Sequence, residues 1–342
     1  MKKIMLALAL AAAATAPLAA MAEEVGAAAV SPALSSSYVY TNEKTGISLT
    51  LPENRMEDKS SNDFLYRAYL PDSGMSISVL SHANSQPLPS AAVKKEQEKA
   101  KQFLAESIRN SGEKQVSLKQ EKAGGETVLL AETEGSGKEG NFSVIRYVFP
   151  LQGGTYMVSW TMKKEDLKEN RSLVKSMMDT VHFFTVMQKV SVKGTTYTYD
   201  IPADMRVDYD PPIAPDHVLV AGNRNLMTGV LALPIRENGD FSFLPDSLSS
   251  LTDAQKQDIT DHFRKKLASE STGKYVKNVT FRFMPVNGRD GLVLDFDDQG
   301  DHSRSYIFVK DGTYISFDYI YNMKEKDYAE KVIRQSVSSI SL

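Results

Sequence analysis

Two short segments, 150 positions apart, alternate apolar and polar side chains and end in proline: Thr45–Pro52 and Thr195–Pro202. Every second residue in them is apolar, namely Ile47, Leu49 and Leu51 in the first and Tyr197, Tyr199 and Ile201 in the second. A period of two is typical of a β-strand with one face on a core. Because proline cannot donate a ladder hydrogen bond, each segment predicts a strand that ends at its proline.

The pattern after the first of these strands predicts a hairpin and then a helix. Pro71-Asp72-Ser73-Gly74 separates two apolar runs, as in a turn between paired strands. From Ser90 to Asn110 the apolar residues change to a helical spacing, with Ser90 as the expected N-cap and Gly112 as the expected stop. The predicted buried stripe of this helix is Val93, Ala100, Leu104 and Ile108.

Further strands and a closing helix complete the first half, and the second half repeats the order. Gly154-Thr155-Tyr156 and Gly312-Thr313-Tyr314 open the last strand of each half and indicate a second repeated motif. Thr252 and Gln255 have the spacing of a capping box at the start of a helix in the second half. The sequence therefore predicts a duplicated unit.

Runs of strands joined by short turns favour antiparallel pairing, and two amphipathic helices per unit must cover the sheet. The predicted fold class is therefore α+β, with two tandem domains at residues 38–184 and 189–342. The join between them, Thr185–Gly194, lacks the composition of a long linker, so we expect close neighbours.

The segment Tyr40–Pro52 resembles the opening of PsbP-like domains, in which a tyrosine, a turn and a glycine lead into a strand that ends in proline. The order of elements through Phe184 is similar as well. The second half departs from this pattern, since Gly194-Thr195-Thr196-Tyr197 has neither the leading tyrosine nor a glycine directly before the strand. The resemblance implies tandem α/β/α sandwich domains of an exported or assembly-associated kind that usually lacks enzymatic activity, and it transfers no functional residue.

The amino terminus predicts export. Met1-Lys2-Lys3 is basic, Ile4–Leu18 is apolar, and Ala20-Met21-Ala22 matches the pattern that signal peptidase cleaves. We therefore expect a signal peptide over residues 1–22, cleaved between Ala22 and Glu23. A membrane anchor is the alternative, but the apolar run is shorter than the ~20 residues of a spanning helix.

The expected mature protein is periplasmic or secreted, with residues 23–37 as a flexible leader and no transmembrane segment after cleavage. The chain has no cysteine, which excludes disulfides and lipid attachment at a cysteine after the signal peptide. Loss of Lys2 and Lys3 leaves 38 basic and 43 acidic residues, a net charge of −5. This balance argues against a nucleic-acid partner.

The candidate chemistry of the sequence is sparse, and no cofactor or metal is expected from it. None of the five histidines is spaced for metal binding: His82, His182, His217, His262 and His302. The acidic stretch Asp295–Asp301 imitates the start of a calcium loop, but its twelfth position is Tyr306, so a solvated hairpin turn is favoured. Ser172 and Lys175 match S-x-x-K, with Ser172 expected in mid-helix, which disfavours a hydrolase.

Aromatic residues supply the remaining candidates for a binding surface: Trp160, Tyr319 and Tyr321. Trp160, the single tryptophan, is expected to end its strand half exposed. The function expected from these observations is a non-catalytic, exported protein that binds an unidentified envelope protein or ligand. The alternative is a carrier of a small molecule or carbohydrate in a cleft between the two units.

Overall fold

The computed structural model describes residues 36–60, 63–84, 86–138, 140–209, 211, 217–269 and 275–342. The predicted signal peptide, residues 1–22, and residues 23–35 of the predicted leader lie outside these ranges. The chain divides into two compact units between Val186 and Met187.

The first unit is built on a seven-stranded antiparallel sheet. Its strands are β1 Ser37–Asn42, β2 Ile47–Pro52, β3 Met56–Glu57, β4 Tyr66–Leu70, β5 Met75–Ala83, β6 Lys114–Ala123, β7 Glu126–Gly137, β8 Gly140–Pro150, β9 Gly154–Lys163 and β10 His182–Phe183. Its helices are α1 Ser90–Asn110 and α2 Leu167–Asp179. The large sheet has the order β3-β4-β5-β9-β8-β7-β6, and a small sheet has the order β1-β2-β10.

The second unit repeats this topology. Its strands are β11 Met187–Ser191, β12 Thr198–Pro202, β13 Arg206–Asp208, β14 His217–Gly222, β15 Met227–Pro234, β16 Lys277–Val286, β17 Arg289–Asp298, β18 Asp301–Lys310 and β19 Thr313–Asn322. Its helices are α3 Asp253–Ser269 and α4 Lys326–Ser338. The large sheet runs β13-β14-β15-β19-β18-β17-β16, which is the order of the first unit. A bridge between Thr198 and Ser341 takes the place of the pairing between β2 and β10.

Each large sheet lies between two layers, and this explains why its central strands, such as β8 and β9, are buried on both faces. In the first unit α1 packs on one face through Leu104 and Ile108, while α2 and the small sheet cover the other face. In the second unit α3 and α4 take the same places, with Phe263 and Val332 in their respective cores. The predicted fold of two tandem α+β sandwich domains on antiparallel sheets is confirmed.

Local signals located most elements correctly. The turn at residues 71–74 joins β4 to β5 as predicted, and β2 ends at Pro52. The capping box of α3 is present, because Gln255 Oε1 accepts from the Thr252 amide at 2.9 Å and Thr252 Oγ1 accepts from the Gln255 amide at 3.3 Å. The prediction of Ser90 as an N-cap is wrong. Pro89 occupies the cap position of α1, and Ser90 is already the first helical residue.

The second repeated motif does not align between the units. The helices α2 and α4 begin 159 positions apart, and the strands β9 and β19 that precede them end 159 positions apart. Tyr156 and Tyr314 are separated by 158, so the Gly-Thr-Tyr match is out of register by one residue. A slip of one residue moves a side chain to the other face of a sheet. Accordingly, Tyr156 contacts Phe183 on the α2 side, whereas Tyr314 stacks on Phe241 on the α3 side.

Glycine is required at position 46, where β2 begins. Gly46 has φ +74°, and a Cβ atom there would lie 2.1 Å from the carbonyl oxygen of Phe184. We expect Gly46→Ala to lower the free energy of unfolding by about 2 kcal/mol or more, since it combines backbone strain with a steric clash. Gly112→Ala is the control, because Gly112 has φ +76° and no atom within 4 Å of its would-be Cβ. Equal losses for both variants in urea unfolding would contradict the role of the clash.

Candidate functional site

The three aromatic residues proposed as a binding surface lie in the interior of their sheets. Trp160 is 0% exposed, Tyr319 1% and Tyr321 2%. The expectation that Trp160 is half exposed is therefore wrong. Its strand is covered by α2 on one face and by α1 on the other, so no side chain in the middle of β9 reaches solvent.

Trp160 and Tyr319 occupy the same position in the two units, since they are 159 residues apart in the aligned strands β9 and β19. Trp160 packs in the core that contains Val174 and Met177 of α2. Tyr319 packs under α4, and its hydroxyl hydrogen-bonds to Ser336 at 2.8 Å. Both large rings thus fix the closing helix of their unit to the sheet.

Tyr321 does belong to a polar site, which lies between the β16–β19 strands and α4. We name it the α4 cluster. Its members have charged or hydrogen-bonding side chains. Glu330 lies on α4, and the others lie on the sheet face that α4 covers: Asn278, Arg282, Asp295, Asp297, His302, Arg304 and Tyr321. The alternation of β17 and β18 brings Asp295, Asp297, His302 and Arg304 to this one face.

Asp295 is the buried centre of the α4 cluster, with its side chain 9% exposed. Its carboxylate accepts a hydrogen bond from Arg304 Nε and one from Arg282 Nη2 at 2.5 Å. Arg304 also donates through Nη1 to Glu330 on α4 at 2.7 Å, and Tyr321 donates to the other oxygen of Glu330 at 2.7 Å. Arg304 therefore bridges a carboxylate of the sheet and a carboxylate of the helix.

His302 lies between two carboxylates on the β17–β18 hairpin. Its Nδ1 is 2.7 Å from Asp297 Oδ1, and its Nε2 is 3.3 Å from Asp295 Oδ1. Asp297 also accepts from the side-chain amide of Asn278 at 2.6 Å. The predicted acidic turn is thus a hairpin in which Gln299 and Gly300 form a two-residue turn with positive φ angles. Two of its carboxylates point at donors of neighbouring strands.

These contacts change the pKa values of the paired groups. Burial acts to raise the pKa of Glu330. The hydrogen bonds from Arg304 and Tyr321 lower it by more, so the net pKa is below the ordinary value. Hydrogen bonds from Asn278 and His302 lower the pKa of Asp297. Burial, followed by the hydrogen bond to Glu330, raises the pKa of Tyr321. Carboxylates held ionised in this way are weak proton acceptors at neutral pH.

The first unit has a counterpart of this site in which the residue on the closing helix carries the opposite charge. Glu132 takes the place of Asp295 in the strand pairing, and Arg171 on α2 takes the place of Glu330 on α4. Arg171 donates to both oxygens of Glu132, at 2.7 and 2.9 Å. In both units an ion pair therefore fastens the closing helix to the sheet. The base is on the helix in the first unit and on the sheet in the second.

The remaining sequence candidates are dispersed. Ser172 lies on the exposed face of α2, and Lys175 is ion-paired with Asp179 at 3.1 Å rather than directed at the serine. His182 belongs to β10. His262 stacks on Phe243 with ring centroids 4.6 Å apart.

His217 reaches Asp318 at 3.4 Å, and Ser316 donates to that same carboxylate at 3.0 Å. The carboxylate lies between the hydroxyl and the imidazole, whereas a serine nucleophile would need the imidazole beside its hydroxyl. Among the residues that the structure describes, no group of three or more histidine or acidic side chains is arranged to hold a metal ion.

The α4 cluster makes a testable contribution to stability. We expect Glu330→Gln to lower the free energy of unfolding by about 1–2 kcal/mol at neutral pH, because it weakens a partly exposed, charge-assisted pairing. The pKa of Glu330 is lowered in the folded state. Its contribution is therefore present above the ordinary pKa of glutamate and disappears as the pH falls. The difference between wild type and variant should shrink toward about pH 3–4 in urea unfolding, and the exposed control Glu237→Gln should show no difference.

Comparison with known proteins yields likenesses in structure only. No family model matches the chain, and no curated protein matches it. Cyanobacterial PsbP from Synechocystis sp. PCC 6803 is 10% identical with a TM-score of 0.32, over 47% of this chain and 98% of that protein. A protein from Bacteroides thetaiotaomicron is 11% identical with a TM-score of 0.30, over 75% of this chain and 84% of its own. The immunity protein TplEi of the T6SS from Pseudomonas aeruginosa is 8% identical with a TM-score of 0.23, over 90% and 97% of the two chains. At these values the likenesses assign neither a family nor an activity.

Proposed function

We propose that this chain is an exported, non-catalytic binding or assembly-accessory protein of the cell envelope. The observation that carries the proposal is the mutual pairing within the α4 cluster. Arg304 donates hydrogen bonds to both Asp295 and Glu330, and these bonds hold α4 to its sheet. A rigid, pre-paired arrangement of this kind suits recognition of a partner better than turnover of a substrate.

The rim of the α4 cluster is the part that a partner could contact. The side chain of Arg282 is 53% exposed, and those of Asp297 and Glu330 are 27% and 25% exposed. Both signs of charge are therefore accessible beside a buried ionic centre. A protein surface of mixed charge is the matching partner, because complementary charges fix orientation and exclude wrong partners.

The test is co-purification from an envelope extract of the source organism, with the mature protein as bait. We expect a saturable partner that is recovered by wild type and lost with Arg282→Ala. In Arg282→Ala the Asp295 carboxylate still accepts a hydrogen bond from Arg304. The melting temperature of the variant should therefore stay close to that of wild type. The matched control is Lys256→Ala, which removes a partly exposed cation from α3. A partner that is recovered equally with both variants would place the contact elsewhere.

A thermal-shift screen separates this proposal from the carrier alternative. Binding of a ligand to the folded state raises the melting temperature by mass action. A saturable shift with a sugar or another small molecule, in the absence of any protein partner, would favour a carrier. A shift only with the co-purified protein supports a binding partner.

Export has its own test. The purified protein from the cell envelope should begin at Glu23, which shortens the chain by the 22 residues of the predicted signal peptide. N-terminal sequencing and the intact mass check this result. Replacing the apolar residues Leu6, Leu8 and Leu10 with glutamine should leave uncleaved protein in the cytoplasm. Recovery of an intact chain that starts at Met1 in the envelope fraction would contradict cleavage.

A further inference from the structure

The edge strand β16 is the most apolar uncovered edge of the second unit's sheet. It lies at one end of the strand order and pairs only with β17. Val279, Phe281 and Phe283 point to the α3 side and are partly buried there. Thr280 and Met284 point to the opposite face and are exposed. An edge with free main-chain groups is a template for another strand.

The turn that follows β16 fixes which of its main-chain groups face outward. Asn287 and Gly288 form a two-residue turn with φ angles of +52° and +72°, and Val286 pairs with Arg289 across it. The residues that close such a hairpin form a hydrogen-bonded pair, and such pairs alternate along an antiparallel ladder. From Thr280 to Val286, where the register is continuous, even-numbered residues of β16 therefore bond to β17 and odd-numbered residues face outward. Pro285 fits this assignment, because proline is tolerated where the missing N–H would face solvent.

The outward main-chain groups are thus the amides and carbonyls of Phe281 and Phe283, together with the carbonyl of Val279, which belongs to the same peptide as the inward amide of Thr280. Main-chain bonds from these three residues to other parts of the described chain are absent. The one charge between positions 279 and 284 is Arg282, which is held by Asp295 at 2.5 Å. The corresponding edge of the first unit, β6, differs in that it carries Lys114, Lys119, Glu121 and Lys122. Charged residues, above all lysine, are the usual protection of an edge against pairing.

We propose that β16 pairs antiparallel with β16 of a second copy of this chain, with each Phe281 opposite its own equivalent. In this register the two Phe281 residues exchange two main-chain hydrogen bonds, and each Phe283 amide faces the Val279 carbonyl of the other copy, which gives about four bonds in all. Val279 of each copy then faces Phe283 of the other. Aromatic and β-branched residues are favourable cross-strand partners.

The register centred on Phe281 also keeps like charges of the two copies apart. It places Arg282 opposite Thr280 of the second copy, so no two like charges meet. A register centred on Arg282 would set the two arginines against each other, which is unfavourable. The Phe281-centred register therefore pairs the strand with itself through aromatic and β-branched partners without facing like charges, and this favours a second copy as the occupant. The proposal goes beyond the envelope partner and is independent of it.

Sedimentation equilibrium of the mature protein tests the pairing. One strand pair is smaller than a standard interface, so we expect a reversible dimer with a Kd of about 1–100 μM. Thr280→Lys should weaken the dimer at least about tenfold, since it sets a lysine opposite Arg282 of the second copy at two symmetric places. The variant leaves the fold intact, because Thr280 is exposed and lies opposite Asp295 in its own chain. Val116→Lys, on the exposed edge strand β6, adds the same charge and should leave the dimer unchanged.

The absence of native cysteine allows the interface to be located directly. Thr280→Cys should be coupled to a second copy by a short bifunctional thiol reagent, and Val116→Cys should not. A monomer at every concentration would overturn the proposal. So would a dimer that tolerates Thr280→Lys, or coupling that is as efficient for Val116→Cys as for Thr280→Cys. Binding of an unrelated extended peptide in place of a second copy would likewise reject the assignment of the occupant.

Discussion

Replacing Trp160 with alanine should lower the free energy of unfolding of the first unit by about 3–5 kcal/mol, because it removes a fully buried indole and leaves a cavity. Trp160 is 0% exposed and lies between Ile77 of β5 and Ile145 of β8 in the sheet. Its ring is part of the core that α2 covers. Loss of the ring should therefore loosen α2 as well as the sheet.

Urea unfolding followed by circular dichroism measures the loss, with Val116→Ala, an exposed position on β6, as the control. Because Trp160 is the single tryptophan, its fluorescence in the wild type reports the first unit alone. The buried environment should give a blue-shifted emission that moves to the red when this unit unfolds. A loss below about 1 kcal/mol combined with loss of partner binding would instead support the surface role that the sequence had indicated.

The misplacement of Trp160 has a physical cause. Alternation of apolar and polar residues identifies the buried face of a strand only when the other face is exposed to solvent. Between Val158 and Trp160 every residue of β9 is buried, since α1 and α2 cover opposite faces of the sheet. The sequence of such a strand predicts its existence but not which face each side chain takes. The slipped Gly-Thr-Tyr match follows from the same ambiguity.

The helices and hairpins were predictable because their signals are local. The turn at residues 71–74 and the capping box of Thr252 and Gln255 each depend on positions close in the chain. The α4 cluster could be found from sequence only in part. A two-residue turn at Gln299 and Gly300 places Asp297 opposite His302. The contribution of Glu330 depends on how α4 docks, which no local pattern specifies.

The closing helix carries Arg171 in the first unit and Glu330 in the second. Because this charge is not repeated, the sequence shows the duplication only through its packing residues. Glu132 pairs with Arg171 in the first unit, whereas Asp295 pairs with Arg304 in the second. Either arrangement neutralises a carboxylate beneath the closing helix. The requirement of the fold is a paired charge at this place, and it does not dictate which element supplies the base.

Replacing Arg146 with alanine should destabilise the first unit by about 3–5 kcal/mol, since it leaves the carboxylate of Glu113 buried without its cation. The side chains of Arg146 and Glu113 are each 3% exposed. Arg146 donates to the two oxygens of Glu113 at 2.7 and 2.8 Å and to Thr133 Oγ1 at 2.8 Å. Glu113 directly follows Gly112 at the end of α1, so the pair ties this helix to β8.

The pH dependence distinguishes this pair from ordinary packing. Burial acts to raise the pKa of Glu113. Arg146 and Thr133 together lower it by more, so the net pKa lies below the ordinary value. The wild type therefore keeps the contribution of the pair above the ordinary pKa and loses it as the pH falls. Without Arg146, burial is the largest remaining influence on the pKa of Glu113 and favours the protonated carboxyl. The difference in the free energy of unfolding between variant and wild type should therefore become smaller in acid.

The double variant Arg146→Met, Glu113→Leu completes the test. It removes both charges and fills their volume with apolar atoms, so it should recover most of the stability that Arg146→Ala loses. Urea unfolding of wild type, Arg146→Met, Glu113→Leu and the double variant gives the coupling between the side chains. If Arg146→Ala and the double variant were equally unstable at every pH, the loss would come from packing, and the buried charge of Glu113 would not be its cause.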